Sequence, residues 1–191
     1  MYEKILVPID GSTTAKRGLL EALHLARRSG SRVRILHVVE EGPTLQLIGV
    51  GGSGYDTEQL LTKIQSEGEA ILENALELAN KHGVKAEVVK STVITERSSD
   101  AILDEAYKWK PGLIVMGTHG RKGVNRLVFG SDAELVVRNS PVPVLLVRLN
   151  ESRAKPKSRK SASPSQGRRT AAPVNAPQRK AASAASAFSK A

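Results

Sequence analysis

The 191-residue sequence contains no cysteine, which excludes disulfide bonds, thiolate metal sites and a cysteine nucleophile. It also lacks an apolar run of about 18 residues, the length that a membrane-spanning helix requires, so we expect no contact with the membrane interior. The first ten residues, MYEKILVPID, enter a strand-like run directly and do not form a signal-peptide pattern. These absences together favour a cytoplasmic protein.

Aromatic residues make up only 3% of the chain, too few for a surface on which successive bases stack. We therefore expect Tyr107 and Trp109 to pack a helix against the core, and His37, within an apolar run, to be a core histidine. A Walker motif of the form G-x-x-x-x-G-K-[ST] is also missing, so no lysine is placed for β- and γ-phosphates as in P-loop enzymes.

The positive charge is concentrated at the C-terminus. The net charge is +10, and residues 151–191 hold ten Lys or Arg and one Glu, hence +9, which leaves +1 for residues 1–150. Ser, Ala and Pro dominate this segment, whose large apolar residues are Val174 and Phe188. It cannot bury enough apolar surface to offset its ordering entropy. The sequence thus predicts a nearly neutral domain over residues 1–150 and a disordered basic tail over residues 151–191.

The tail's charge has two interpretations. Ten basic residues would attract nucleic acid or another polyanion through release of counterions, without sequence specificity. The alternative is a solvated low-complexity extension that binds nothing.

Short apolar runs alternate with helical patterns along residues 1–150. Strands are predicted over residues 4–9, 32–39, 84–93, 112–117 and 142–147. Helices are predicted over residues 13–29 and 56–82, from an N-cap at Ser98 or Ser99 through Trp109, and over 131–139. This alternation is typical of an open α/β fold, in which helices cover both faces of a parallel sheet. Strand orders 3-2-1-4-5 and 2-1-3-4-5 both satisfy it, and each binds ligands where the winding reverses.

Two glycine clusters could hold a phosphate. Gly49, Gly51 and Gly54 have the G-x-G-x-x-G spacing of a dinucleotide-binding turn. However, they begin about ten residues after the second strand and follow Pro43, which we take as a helix breaker. We therefore predict a flexible surface loop over residues 49–54.

The second cluster has a more suitable context. Gly117 ends the fourth strand, Gly120 follows, and Gly130 and Ser131 precede the last helix, so backbone N–H groups can converge on an anion there. Arg121 and two further basic residues lie between them, with no acid. The alternative is structural, with glycines that serve a tight turn and a serine that caps a helix.

The spacing Gly117-x2-Gly120-x9-Gly130-Ser131 resembles the G-2x-G-9x-G-[S/T] signature of the ATP-binding branch of the universal stress protein family. The segments KILVPIDGS, ILHVVE, LIVMGTHGR and SPVPVLLVR also resemble the family, over roughly residues 1–150. The resemblance implies an adenine nucleotide alpha hydrolase-like fold, a five-stranded parallel sheet of order 3-2-1-4-5, and a homodimer. Pairing of the last strand, residues 142–147, with its twin would cover an apolar sheet edge.

The resemblance also implies where ATP, with or without Mg²⁺, would lie. Residues bordering the adenine and ribose would be Pro8, Ile9, Asp10 and Val38. Residues beneath the ribose or around the phosphates would be Met116, Gly117, Gly120, Arg121, Gly130, Ser131, Asp132 and Ala133. Asp10 is the candidate for the ribose hydroxyls; its alternative role is to cap the first helix or close the turn at Gly11.

Asp132 departs from the family pattern, in which many nucleotide-binding members carry an apolar residue such as valine at this position. A carboxylate beside a triphosphate would repel it unless Mg²⁺ bridges the two. The alternative is that an acid in a first helical turn complements the helix dipole.

The resemblance favours nucleotide binding as a switch in the stress response over catalysis. Slow ATP hydrolysis, or autophosphorylation with Ser131 or a loop residue as the acceptor, is a secondary hypothesis. A stress-related interaction protein that binds no nucleotide and acts through partners is the alternative, which measured nucleotide binding would separate from the first.

Overall fold

The computed structural model describes residues 2–51, 56–118 and 130–149, with backbone only for 47–51. Within these ranges strands alternate with helices, except that two helices follow one another between the second and third strands. The strands are β1 (Lys4–Ile9), β2 (Arg32–Glu40), β3 (Ala86–Val93), β4 (Leu113–Gly117) and β5 (Val144–Val147). The helices are α1 (Thr13–Ser29), α2 (Gly42–Gly51), α3 (Thr57–Lys81), α4 (Ser98–Trp109) and α5 (Ser131–Asn139). None of the helices described here combines the length and apolar character needed to cross a bilayer.

All five strands form one parallel sheet with the order β3-β2-β1-β4-β5. The predicted fold class and the order 3-2-1-4-5 are thus confirmed. β1 lies at the centre, between β2 and β4, so the winding reverses between the carboxyl ends of β1 and β4. This is the position at which open α/β sheets bind ligands.

Side chains alternate between the two sheet faces along each strand, as a period of two requires. One buried cluster packs α1 and α3 against the sheet, and we call its side the α1–α3 face; its members include Val7, Leu23, Ile35, Leu72 and Val115. The other packs α4 and α5, on the α4–α5 face; its members include Leu6, Leu36, Ile102, Met116 and Val136. The helices on both faces cover the sheet as predicted.

Helix α2 was not expected from the sequence. Pro43 lies in its first turn, where a residue without an N–H group is tolerated because no intrahelical partner is lost. The N–H of Leu45 donates to the carbonyl oxygen of Glu41 at 2.9 Å, one turn back. The predicted loop is therefore wrong for Gly49 and Gly51, which are helical, while Gly54 lies outside the described residues.

The first turn of α4 also differs from the prediction. Arg97, rather than either serine, occupies the N-cap position, and its N–H donates to Asp100 Oδ2 at 3.2 Å. Trp109 is buried on the α4–α5 face as expected, with the Arg34 guanidinium carbon 4.5 Å from its ring centroid. Tyr107, by contrast, is 60% exposed, so the expectation that it packs α4 is wrong.

Candidate functional site

The start of α5 is attached to the carboxyl end of β4. The N–H of Gly130 donates to the Thr118 carbonyl oxygen at 2.9 Å, and the N–H of Thr118 donates to the Val147 carbonyl oxygen at 3.0 Å. Thr118 is almost wholly buried. This residue links β5, β4 and α5, a role that sequence reasoning missed because its only signal is its place directly after a strand.

The first turn of α5 is an uncapped helix N-terminus. Gly130 occupies the N-cap position with extended backbone angles (φ −61°, ψ 147°) and provides no side-chain acceptor. The first bond within the helix runs from the Glu134 N–H to the Gly130 carbonyl oxygen at 3.0 Å. The N–H groups of Ser131, Asp132 and Ala133 have no intrahelical acceptor, as in every helix start. With the positive end of the helix dipole, they form a site suited to an anion.

Several sequence-predicted residues share the α4–α5 face next to this turn. Met116 and Ala133 belong to its buried cluster, and Val38 packs against that cluster. Pro8 is buried and, two residues after Leu6 on β1, faces the same side. Val38 is half-buried and the other three are buried, so these side chains form apolar packing between the end of β2 and the first turn of α5, of which Val38 is the partly exposed member. A flat, apolar ring could pack against Val38 there.

Ile9 lies on the opposite side of the sheet. Its side chain belongs to the cluster of the α1–α3 face, so only its backbone faces the carboxyl edge. His37 Nδ1 lies 2.8 Å from the Ile9 carbonyl oxygen. A carbonyl oxygen only accepts, hence Nδ1 carries the proton and donates. The expectation that His37 is a buried core histidine is confirmed.

Asp10 closes the turn at the end of β1. Its Oδ1 accepts from the Ser12 N–H at 3.0 Å, and Gly11 between them has a positive φ of 82°. The Ser12 hydroxyl in turn accepts from the Ala15 N–H at 3.1 Å and caps α1. The structural role foreseen for Asp10 is thus observed, and it holds the half-buried carboxylate at the reversal of the sheet.

Gly117 is required for packing. A Cβ atom there would lie 2.9 Å from Thr14 Cγ2, 3.0 Å from the Thr14 carbonyl carbon and 3.1 Å from the Ala15 nitrogen. Its missing side chain therefore lets α1 approach the end of β4. The sequence signal that could have indicated this is Gly18, one turn further along α1, whose own Cβ would lie 3.3 Å from the Gly117 nitrogen.

The remaining predicted residues separate into two groups. Gly120 and Arg121 lie outside the described residues. Ser131 is exposed and Asp132 half-buried, both in the first turn of α5. Among the described residues, no group of three or more metal-ligating side chains is placed to hold a metal ion.

Comparison with known proteins gives consistent matches to one family. A sequence model described as the universal stress protein family matches residues 1–148. Universal stress protein YxiE of Bacillus subtilis is 35% identical over 151 residues, covering 78% of this chain and all of the relative.

Two solved structures are similar to this fold. The structure of MJ0577, a universal stress protein of Methanocaldococcus jannaschii, has a TM-score of 0.66 at 27% identity and covers 80% of this chain and 99% of its own. A universal stress protein of Archaeoglobus fulgidus, solved in complex with dAMP, has a TM-score of 0.55 at 25% identity and covers 76% and 98%.

Proposed function

The chain belongs to the universal stress protein family, and we propose that it binds ATP or a related adenine nucleotide as a switch in the stress response. The observation that carries the proposal is the uncapped first turn of α5, held at the end of β4 on the same face as the partly exposed Val38. The complex of the Archaeoglobus fulgidus relative with dAMP supports an adenine nucleotide as the ligand class.

The chemistry of an adenine nucleotide matches the two parts of the site. Its phosphates are anions that the helix dipole and three N–H groups without an intrahelical acceptor would stabilise at Ser131, Asp132 and Ala133. Its base is a flat ring that can pack against Val38 on the α4–α5 face. Asp10, at the end of β1 between these parts, is the proposed partner of the ribose hydroxyls.

We propose binding rather than turnover as the main role. Apart from the Asp10 carboxylate, which already accepts from the Ser12 N–H, the groups named above are backbone donors and apolar side chains, which hold a nucleotide without activating a water molecule. A ligand that binds only the folded protein stabilises it in proportion to the logarithm of its concentration. The concentration of nucleotide relative to its dissociation constant would set the fraction of protein in the bound state, and partners could recognise that state.

Calorimetric titration of ATP into nucleotide-stripped full-length protein tests this proposal. We expect micromolar binding in the presence of Mg²⁺. Absence of binding both with and without Mg²⁺ would refute the nucleotide proposal and favour an interaction protein that acts through partners.

Asp132 predicts a dependence on Mg²⁺. If its carboxylate lies beside the phosphates, Mg²⁺ relieves the repulsion, and Asp132→Asn removes the need for it. We expect the wild-type protein to bind ATP about tenfold more tightly with Mg²⁺ than without it. This is roughly the effect on affinity of one exposed charge at a helix end together with a bridging ion. The variant should bind equally with and without the ion, as measured by calorimetry.

Glu134→Gln provides the matched control, since Glu134 is in the same helix but exposed and paired with Arg138 at 3.0 Å. It should keep the Mg²⁺ dependence of the wild type. If Asp132→Asn also keeps it, the carboxylate acts on the helix dipole alone.

We further propose that two copies associate through β5. Within the described residues the sheet ends at this strand, and Leu145 on it is 36% exposed. An apolar edge of this kind is stabilised when another strand covers it. Light scattering at micromolar concentration should give the mass of a dimer, and a monomer would contradict the pairing.

A second candidate function concerns residues 151–191, which lie outside the described residues. Their charge of +9 favours binding to nucleic acid or another polyanion. The full chain should bind duplex DNA more tightly than residues 1–150 at low salt, and the difference should fall steeply as salt rises because counterions are released. Equal DNA retention by both proteins would remove the tail from this function.

A further inference from the structure

Two histidine side chains meet near the C-terminal ends of α1 and α3. His24 lies in the last two turns of α1, and His82 is the C-cap residue of α3. Their ring centroids are 5.6 Å apart, and the two ring planes make an angle of 72°. His24 is exposed and His82 is half-buried, so the pair lies at the surface. An ion from solvent can therefore reach both rings.

Packing beneath the pair fixes the distance between the two helices. Ala26 on α1 and Ala79 on α3 are both buried in the cluster of the α1–α3 face. The end of α3 is held as well, because the N–H of His82 donates to the carbonyl oxygens of Leu78 and Ala79 at 3.2 and 3.1 Å. Ligands carried on rigid helices need little rearrangement to bind an ion. The freedom that remains to His24 and His82 is rotation about their side-chain bonds.

The fold itself does not use either ring for a polar contact. Among the residues that the structure describes, no hydrogen bond or ion pair joins the imidazole of His24 or His82 to another group. His37 differs from them, since its Nδ1 donates to the Ile9 carbonyl oxygen within the core. Neutral imidazole is the commonest side-chain ligand for metals, and it suits Zn²⁺, Cu²⁺ and Ni²⁺. The ring nitrogens of both histidines are thus available as ligands.

The separation of the rings matches one ion shared between them. A Zn–N bond is about 2.0–2.1 Å long and the ring centroid lies roughly 1 Å beyond the nitrogen, so two imidazoles in tetrahedral coordination have centroids about 5 Å apart. Rotation about the side-chain bonds covers the difference from the observed 5.6 Å. Water molecules would supply the other ligands.

Charged groups around the pair act in both directions. The C-terminal ends of α1 and α3 are the negative ends of two helix dipoles, which favour a cation. Arg27 and Arg28 follow His24 by three and four residues on the same side of α1, and they oppose a cation. Lys81 also lies nearby, but it pairs with Glu77 at 3.2 Å. This balance favours an ion that bonds strongly to nitrogen over Mg²⁺ or Ca²⁺, which prefer oxygen ligands.

We propose that His24 and His82 together bind one divalent transition-metal ion, of the class of Zn²⁺ and Cu²⁺, which joins α1 to α3. The helices run antiparallel to the strands, so their C-terminal ends lie at the amino edge of the sheet. The metal site is therefore at the opposite edge from the candidate nucleotide site, and it does not depend on nucleotide binding. An ion that binds only the folded chain stabilises it.

Calorimetric titration of ZnCl₂ into untagged, nucleotide-free, full-length protein at neutral pH tests the proposal. We expect one Zn²⁺ ion to bind per chain. Thermal unfolding gives a second readout, and the melting temperature should rise by about 5 °C when free Zn²⁺ is roughly a hundredfold above its dissociation constant. MgCl₂ at the same concentration should leave the melting temperature unchanged.

Single substitutions assign the ligands. His24→Ala and His82→Ala should each weaken Zn²⁺ binding at least tenfold and remove the thermal shift, because each removes one of two ligands. Both variants should fold, since His24 is exposed and the bonds at the end of α3 use only the backbone of His82. His119→Ala, at a histidine outside the described residues, is the matched control and should bind Zn²⁺ like the wild type. Arg28→Gln removes an opposing charge and should tighten binding about twofold.

Three outcomes would overturn the inference. The first is the absence of Zn²⁺ binding by the wild type. The second is binding that both His24→Ala and His82→Ala retain, which would place the ion elsewhere. The third is loss of binding in only one of these variants, or two ions per chain, which would mean that the rings do not share an ion. ATP titration measures the proposed nucleotide function separately, so none of these results bears on it.

Discussion

Replacement of Gly130 by aspartate is expected to weaken ATP binding about a hundredfold while the protein stays folded. Gly130 is the N-cap residue of α5, and its backbone angles are open to any residue. An aspartate carboxylate at this position would accept from the N–H groups of the first turn, which the phosphates would otherwise occupy. It would also place a negative charge against them. Calorimetric titration of ATP measures the loss.

The stability of the variant separates this effect from misfolding. Aspartate is a slightly better N-cap residue than glycine, so the free energy of unfolding should rise by a few tenths of a kcal/mol. Gly130→Asn caps without charge and should lose about tenfold in affinity, and Gly130→Ala, which cannot cap, should lose less. If all three variants bind ATP like the wild type, the first turn of α5 does not hold the phosphates.

The central strands β1 and β4 could be predicted from the sequence because both of their faces are covered and their residues are therefore apolar. The run at residues 4–9 reads as a strand without further information, and β1 has those bounds. The order of the strands could not be predicted in this way. Pairing of β1 with both β2 and β4 depends on contacts between distant residues, and local periodicity fits either order. Only the resemblance to a family selected 3-2-1-4-5.

Local signals failed where their meaning depends on position within a helix. Pro43 reads as a breaker, but it lies in a first turn, where its missing N–H costs nothing. Ser98 and Ser99 read as caps, yet α4 begins after Arg97, so both serines are helical and one bonds Glu40 instead. The sequence predicts that Tyr107 packs in the core, but its position around the axis of α4 places its side chain in solvent.

The sequence predicts which end of the sheet carries the candidate site, but not what packs against each of its residues. The motif spacing brings Gly117 and Gly130 to the carboxyl edge, where Thr118 joins their two elements. A glycine of the motif can make room for a phosphate or for a neighbouring helix. Which of the two it does depends on the residues that pack against it, and these are distant in the sequence. Gly117 packs closely against Thr14, because α1 passes across the end of β4.

Gly117→Ala is therefore expected to act mainly on stability. The added Cβ would crowd backbone atoms of α1 at 3.0 and 3.1 Å, which cannot move aside as a side-chain end can. Overpacking of this kind costs about 2–3 kcal/mol, or roughly 5–10 °C in melting temperature for a domain of this size. ATP affinity, measured below the melting transition, should fall less than tenfold, in contrast to Gly130→Asp.

Two further variants test whether crowding is the cause of that loss. Gly83→Ala has open space around its Cβ and only the strain of a positive φ of 68°, so it should cost about 1 kcal/mol. Thr14→Ser removes the Cγ2 atom that would lie 2.9 Å from the new Cβ, and combined with Gly117→Ala it should restore part of the stability. If Gly117→Ala melts like the wild type but no longer binds ATP, then Gly117 serves the phosphates directly. In that case its role is to let the phosphates approach its backbone, rather than to let α1 pack against it.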